Sequence, residues 1–177
     1  SFWGFEHQNL KPDIVTLGKS IGNGHPLSAV VTTKKIADQF NDGMEYFNSF
    51  GGNPVSCAIG NAVLEIIEEE GLQMNATKVG SILKSMLLDL KAKQSSIIGD
   101  VRGDGLFLGI EFVKDNSNLE PLAKEADIIV NKMKQGNILL SIDGPNHNVI
   151  KIKPPMVFNN KNAHQLIEKM SSALLNI

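Results

Sequence analysis

Apolar residues recur along the chain with two periods, and the change of period marks the elements. Residues 13–17 and 28–32 are short runs rich in β-branched residues between Gly, Pro and Asn, which predicts two buried strands. A short helix is expected over 33–40, then a polar, glycine-bearing loop over 41–53. Asn53 is a capping residue and Pro54 suits the first helical position, so a helix is expected to start there and end at Gly71. Val55, Ile59, Ala62, Val63, Ile66 and Ile67 fall on one face of it at spacings of three and four. A second helix over about 77–93 carries Val79, Ile82, Leu83, Met86, Leu87 and Leu90 as one stripe.

Beyond that the pattern alternates. Strands are predicted at 97–102 and 106–113, with Leu106, Leu108, Ile110 and Phe112 on one face. A helix over 119–135 follows, then strands at 138–142 and 148–153. A last helix over 161–175 buries Ala163, Leu166, Ile167, Met170 and Leu174. The result is an α/β chain whose second part is an α+β unit with helices over a small, mostly antiparallel sheet. The division is expected between 66 and 76, giving domains 1–70 and 71–177. Residues 1–66 hold two strands and one and a half helices, too few to bury both faces of a sheet alone. Together with Ser1 in first position, this leads us to expect a piece of a longer chain.

Composition narrows the classes. The 177 residues are 42% hydrophobic and 20% charged with a net charge of −2, so neither a nucleic-acid nor a membrane footprint is indicated. A single cysteine, Cys57, allows no intrachain disulfide and points to a reducing compartment, with the cytoplasm expected and the mitochondrion as second choice. His7, His25, His147 and His164 have no metal-ligand spacing, so no metal is expected. Asn75-Ala76-Thr77 matches a glycosylation sequon and is read as chance.

Three places carry candidate chemistry. Lys19 ends an apolar run and lies between Gly18 and Gly22 with a turn directly after it. A lysine that attacks a carbonyl needs such rigid placement and small neighbours, because an ordinary lysine titrates near ~10.4 and is nucleophilic in only about one molecule in a thousand at neutral pH. A solvated loop lysine is the plainer alternative. Gly18-Lys19-Ser20 imitates the end of a nucleotide-binding loop, but that loop needs glycine where Asp13 stands. Ser49-Phe50-Gly51-Gly52-Asn53-Pro54 offers a hydroxyl and free amides at a helix start, a setting for an anion, with a plain helix cap as the alternative. Arg102, between Gly99 and Gly105, presents either a fork to a carboxylate or phosphate, or a salt bridge to Asp100 or Asp104.

These segments, with Asn23-Gly24-His25-Pro26 and Val101-Arg102-Gly103-Asp104-Gly105-Leu106, resemble the class III aminotransferases of fold type I in order and spacing. Glu45-Tyr46-Phe47-Asn48, Leu140-Ser141-Ile142-Asp143-Gly144-Pro145 and Lys153-Pro154-Pro155-Met156 resemble the branch of ethanolamine-phosphate and 5-phosphohydroxylysine phospho-lyases and alanine–glyoxylate aminotransferase 2. The resemblance implies pyridoxal 5'-phosphate as cofactor, with Lys19 forming the internal aldimine and moving the proton afterwards. It implies that Ser49, where the family usually has threonine, contacts the cofactor phosphate of the neighbouring subunit of a homodimer, and that Arg102 holds a substrate carboxylate. The family's aspartate facing the ring nitrogen, its stacking aromatic and its first phosphate loop correspond to a stretch ahead of Ser1. The isolated chain is therefore expected to be inactive or nearly so. The implied reaction moves an amino group from an amine or amino acid to a keto acid. Elimination of phosphate from a phosphorylated amine is the alternative, and a non-catalytic fragment or dimerisation module the second alternative.

Overall fold

The computed structural model describes residues 1–94, 96–115, 117–175 and 177. It is a mixed α/β structure with two sheets, and the chain divides into two compact units, Ser1–Gln73 and Met74–Ile177.

The first unit opens with a 3₁₀ turn, Gly4–Gln8, and holds an antiparallel pair, β1 (Ile14–Leu17) and β2 (Ala29–Thr32), in the register Ile14↔Thr32 to Leu17↔Ala29. A 3₁₀ turn, Lys19–Gly22, joins them. α1 (Lys34–Phe40) is capped by Thr33, whose hydroxyl accepts from the Ile36 amide. α2 (Pro54–Glu69) starts as expected: Asn53 Oδ1 accepts from the Ser56 amide at 2.9 Å and proline takes the first turn, a cap contributing about 1 kcal/mol. The anticipated stripe of α2 is only partly covered. Ile59, Val63 and Ile67 are half-buried, while Val55, Ala62 and Ile66 are exposed. Among the described residues the unit buries only Gly22 and Gly60 fully.

The second unit carries the core. α3 (Leu72–Lys93) begins five residues earlier than its stripe predicts, because Gly71 (φ 59°) reverses the chain and the helix resumes at once. Strands β3 (Ile98–Asp104), β4 (Phe107–Phe112), β5 (Ser141–Asp143) and β6 (Val149–Ile152) form an antiparallel sheet in the order β3-β4-β6-β5. α4 (Ala123–Gln135) packs on α5 (Asn160–Leu174) and on β4, β5 and β6. Leu106, Leu108, Ile110 and Phe112 point inward as their alternation demands, and they join Val79, Leu83 and Leu87 of α3, Ile129 and Met133 of α4, and Leu166 and Met170 of α5 in one cluster.

α3 crosses the β3–β4 hairpin at Gly80. A Cβ there would lie 2.1 Å from the Gly105 carbonyl oxygen, so only glycine lets helix and hairpin backbones approach this closely. α4 starts later than expected. Pro121 pairs with Val113 and the Lys114 amide donates to Glu120 O, which keeps Glu120 and Pro121 out of the helix. β5 also starts later, because the Ile138 amide still bonds Met133 O behind α4. The sequon asparagine is structural: Asn75 Nδ2 donates to the carbonyls of Met156 (2.7 Å) and Phe158 (3.0 Å).

Candidate functional site

Lys19 follows β1 directly, after Gly18 in extended backbone (φ −163°). Its own φ is 53°, in the left-handed region. In this conformation the Cβ of an L-residue crowds the following carbonyl oxygen at a cost of about 1–2 kcal/mol, so the surroundings must impose it. Asn23 (φ 46°) donates its amide to Ser20 O and the His25 amide donates to Gly22 O, closing the turn behind Lys19. The Lys19 side chain is exposed, and its amine makes no hydrogen bond or ion pair among the described residues. A Cβ built on Gly18 would meet nothing within 4 Å, so the approach to the lysine is open on that side.

The turn rests on α2. Leu27 fills the space beside two glycines: a Cβ on Gly60 would lie 2.7 Å from Leu27 Cδ2, and one on Gly22 3.1 Å from Leu27 Cβ. His25 Nε2 is hydrogen-bonded to Ser56 Oγ at 2.7 Å. The pair is 31 residues apart in sequence, and neither local spacing nor residue type singled it out.

Ser49 lies in the same unit, in the exposed approach to α2, and its hydroxyl is without a hydrogen bond among the described residues. The amides around it are less free than the sequence suggests. Asn48 Oδ1 accepts from the amides of Phe50 (3.2 Å) and Gly51 (3.0 Å), and Asn53 binds the Ser56 amide. The loop is thus shaped by its own asparagines, and the hydroxyl of Ser49 is one of the groups still able to meet an anion. Phe40, Met44, Tyr46, Phe47, Phe50 and Val55 around it are all largely exposed.

Arg102 belongs to the second unit, on β3. A register shift between Ile98 and Asp100 sets Asp100 opposite Glu111. Two carboxylates facing each other across a ladder repel. Arg102 resolves this: its Nη1 donates to Asp100 Oδ2 (3.0 Å) and to Glu111 Oε2 (2.5 Å). Gly109 is its cross-strand partner and leaves room for the side chain. The hydrogen bond to Glu111, then that to Asp100, raises the guanidinium's pKa above its ordinary value. Glu111 is steadied in turn by Nδ2 of buried Asn148 at 3.4 Å, which also donates to Phe112 O at 2.8 Å. Nε and Nη2 of Arg102 make no bond among the described residues, and its side chain is 49% exposed. That edge can still take a planar anion.

Among the described residues no group of three or more His, Cys, Asp or Glu is arranged to hold a metal, and no helix is long and apolar enough to cross a membrane.

Known proteins give this geometry a context. The family model for aminotransferase class III matches residues 1–174. An alanine–glyoxylate aminotransferase 2-like protein of Drosophila melanogaster is 54% identical over 168 residues, covering 94% of this chain and 34% of its own length. A mitochondrial alanine–glyoxylate aminotransferase 2 homolog of Arabidopsis thaliana is 49% identical over 174 residues, covering 98% of this chain and 36% of its own. The chain thus spans about a third of the length of these relatives. Among solved structures, a phospholyase from Arthrobacter in complex with phosphoethanolamine superposes with a TM-score of 0.94 at 38% identity, covering 99% of this chain and 41% of that one. The lysine turn, the capped start of α2 and the arginine ladder all fall inside the matched span, and the chain belongs to the class III aminotransferase family.

Proposed function

We propose that the protein carrying this chain transfers an amino group from an amine or amino acid to a keto acid, with pyridoxal 5'-phosphate as cofactor and Lys19 as its covalent anchor. The observation that carries this reading is the backbone of Lys19: a non-glycine residue at φ 53° at the end of β1, its amine exposed and unbonded among the described residues. Strain of this kind clusters where chemistry needs a side chain aimed.

The residues fit the cofactor. Lys19 offers an amine to an aldehyde, and the hydroxyl of Ser49, unbonded among the described residues, suits a phosphate oxygen of the cofactor held by the neighbouring subunit. Bound there, pyridoxal phosphate would supply an electron sink for the carbon that loses its proton. The Lys19 amine would be the group to take that proton and return it to a neighbouring atom. The open Nε–Nη2 edge of Arg102 suits a substrate carboxylate, although Asp100 and Glu111 already neutralise much of its charge.

In this reading residues 1–70 are the end of the cofactor-binding domain and 71–177 the small domain, the protein is a homodimer whose sites draw on both subunits, and it resides in the cytoplasm. The exposed aromatic residues around Ser49 support a subunit contact there. The Arabidopsis relative is named as mitochondrial, which makes the mitochondrion the other location to test.

The test is reductive trapping. Incubation of the protein with pyridoxal phosphate and borohydride should leave a pyridoxyl group on the Lys19 peptide, read by mass spectrometry. A group found only on other lysines, or none, defeats the reading. Supplying phosphoethanolamine without a keto acid then separates the two reactions. Released phosphate favours elimination, for which the Arthrobacter likeness speaks, and turnover that requires a keto acid favours transfer.

A further inference from the structure

His25 has no part in the roles assigned above, yet it ties together the two segments those roles depend on. Its amide closes the turn behind Lys19 by donating to Gly22 O at 3.0 Å, and its imidazole reaches Ser56 Oγ at 2.7 Å in the first turn of α2. Ser56 is itself held twice by Asn53, its amide donating to Oδ1 (2.9 Å) and its hydroxyl oxygen accepting from Nδ2 (3.0 Å). Nδ2 of Asn53 also donates to Phe50 O at 2.8 Å, next in sequence to Ser49. One hydrogen-bonded chain therefore runs from the Lys19 turn through His25, Ser56 and Asn53 to the Ser49 loop.

We propose that His25 is a positioning residue: by bonding Ser56 it holds the Lys19 turn in register with the start of α2, and so aims the lysine at the cofactor aldehyde while the phosphate-facing loop stays in step. The proposal rests on the reading of Lys19 as the covalent anchor. The packing of Leu27 against Gly22 and Gly60 sets how close the turn lies to α2, but an apolar contact has little directional preference. The hydrogen bond supplies the direction. It is also robust. Because Asn53 occupies one lone pair of Ser56 Oγ, the serine proton is left to donate to a neutral ring, and a protonated ring can donate to the remaining lone pair. Without this bond the strained backbone at Lys19 loses one of the constraints that keep it from relaxing toward ordinary φ values.

The test uses the whole cofactor-free enzyme that carries this chain. Pyridoxal 5'-phosphate is titrated in by absorbance, and the rate of borohydride-trappable attachment at Lys19 is followed by mass spectrometry. His25→Ala should weaken cofactor capture about tenfold, the effect of losing one directional hydrogen bond. Ser56→Ala should do at least as much, since it also removes the acceptor of Asn53 Nδ2, and the double substitution no more than Ser56→Ala alone, because both remove the His25–Ser56 link. His25→Gln, whose amide can still bond Ser56, should recover part of the loss. The melting temperature of the cofactor-free enzyme separates aim from general stability. Unchanged capture in His25→Ala, single effects that multiply in the double variant, or a loss of capture that tracks the fall in melting temperature across the variants each overturns the proposal. Attachment that persists in Lys19→Ala instead defeats the reading of Lys19 as anchor and leaves the geometry of His25 as found.

Discussion

Replacing Gly80 by alanine tests the packing of the second unit at its tightest point. In an exposed helix interior the substitution would stabilise by about 1 kcal/mol through propensity alone. Here the new methyl would lie 2.1 Å from Gly105 O, 2.3 Å from Gly105 C and 2.7 Å from its Cα. Ordinary contact begins at 3.4 Å, so helix and hairpin must part by about 1.3 Å. All three obstacles are backbone atoms, so no rotamer change relieves the clash, and α3 must carry Val79 and Leu83 away from the core. Overpacking costs about 1–3 kcal/mol and more where backbone meets backbone, so the clash outweighs propensity and the net loss is about 2 kcal/mol or greater. Gly60→Ala is the contrast. Its obstacle is one methyl of Leu27 at 2.7 Å, which a side-chain adjustment of about 0.5–1.5 kcal/mol can move aside, leaving a result near neutral. Urea unfolding followed by far-ultraviolet circular dichroism measures the first variant, and fluorescence of Trp3 reports on the unit that holds Gly60. A Gly80→Ala midpoint equal to or above that of the parent would refute the close approach, and equal losses at both glycines would refute the distinction between backbone and side-chain obstacles.

Three further outcomes are expected. Lys19→Gly should be more stable than Lys19→Ala by about 1 kcal/mol, because glycine adopts φ 53° freely, while both abolish trapping; equal thermal stability would show that the turn is unstrained. The Asp143 carboxyl is held below its ordinary value chiefly by the hydrogen bond from Lys151, then by the Gly144 amide, so its contribution to stability is present above about pH 4 and fades as pH falls through the folded-state value. Lys151→Gln should move its midpoint back toward the ordinary range in a carboxyl NMR titration, and an unmoved midpoint would assign the shift elsewhere. Asn148→Ala should destabilise the protein by about 1–3 kcal/mol in chemical unfolding, since it deletes a buried hydrogen-bond donor and loosens Glu111 beneath Arg102; a neutral result would remove that support.

Much of the architecture was legible because burial writes itself into periodicity. Leu106, Leu108, Ile110 and Phe112 could share a face only as a strand, and Asn53-Pro54 could mark only a helix start. The misplaced boundaries at 72, 123 and 141 reflect hydrogen bonds that composition does not encode: a reversal at Gly71, a bridge from Pro121 to Val113, and a helix tail bonding Ile138. At the site, the glycines around Lys19 flagged the position, but not that the lysine itself would be left-handed. Asp100 was a foreseeable partner for Arg102. Glu111 was not, because it becomes adjacent only after the irregularity at Gly99 resets the β3–β4 register. The bond from His25 to Ser56 spans two elements, and no local pattern carries it.

The uneven burial of the two units bears on how these 177 residues behave when studied by themselves. Every residue of the apolar core cluster belongs to Met74–Ile177, while β1 and β2 keep Ile14, Val30 and Val31 more than half exposed and Phe47 and Phe50 stand almost bare. A short ribbon with apolar faces and unpaired edges invites self-association. Taken by themselves, these 177 residues should therefore clump in concentrated solution from the first seventy residues while the second unit is still intact, so that soluble oligomers would show native circular dichroism from the four-stranded sheet and altered emission from Trp3. Charged substitutions at Val30 or Val31 should keep the chain dispersed more effectively than any strengthening of the core.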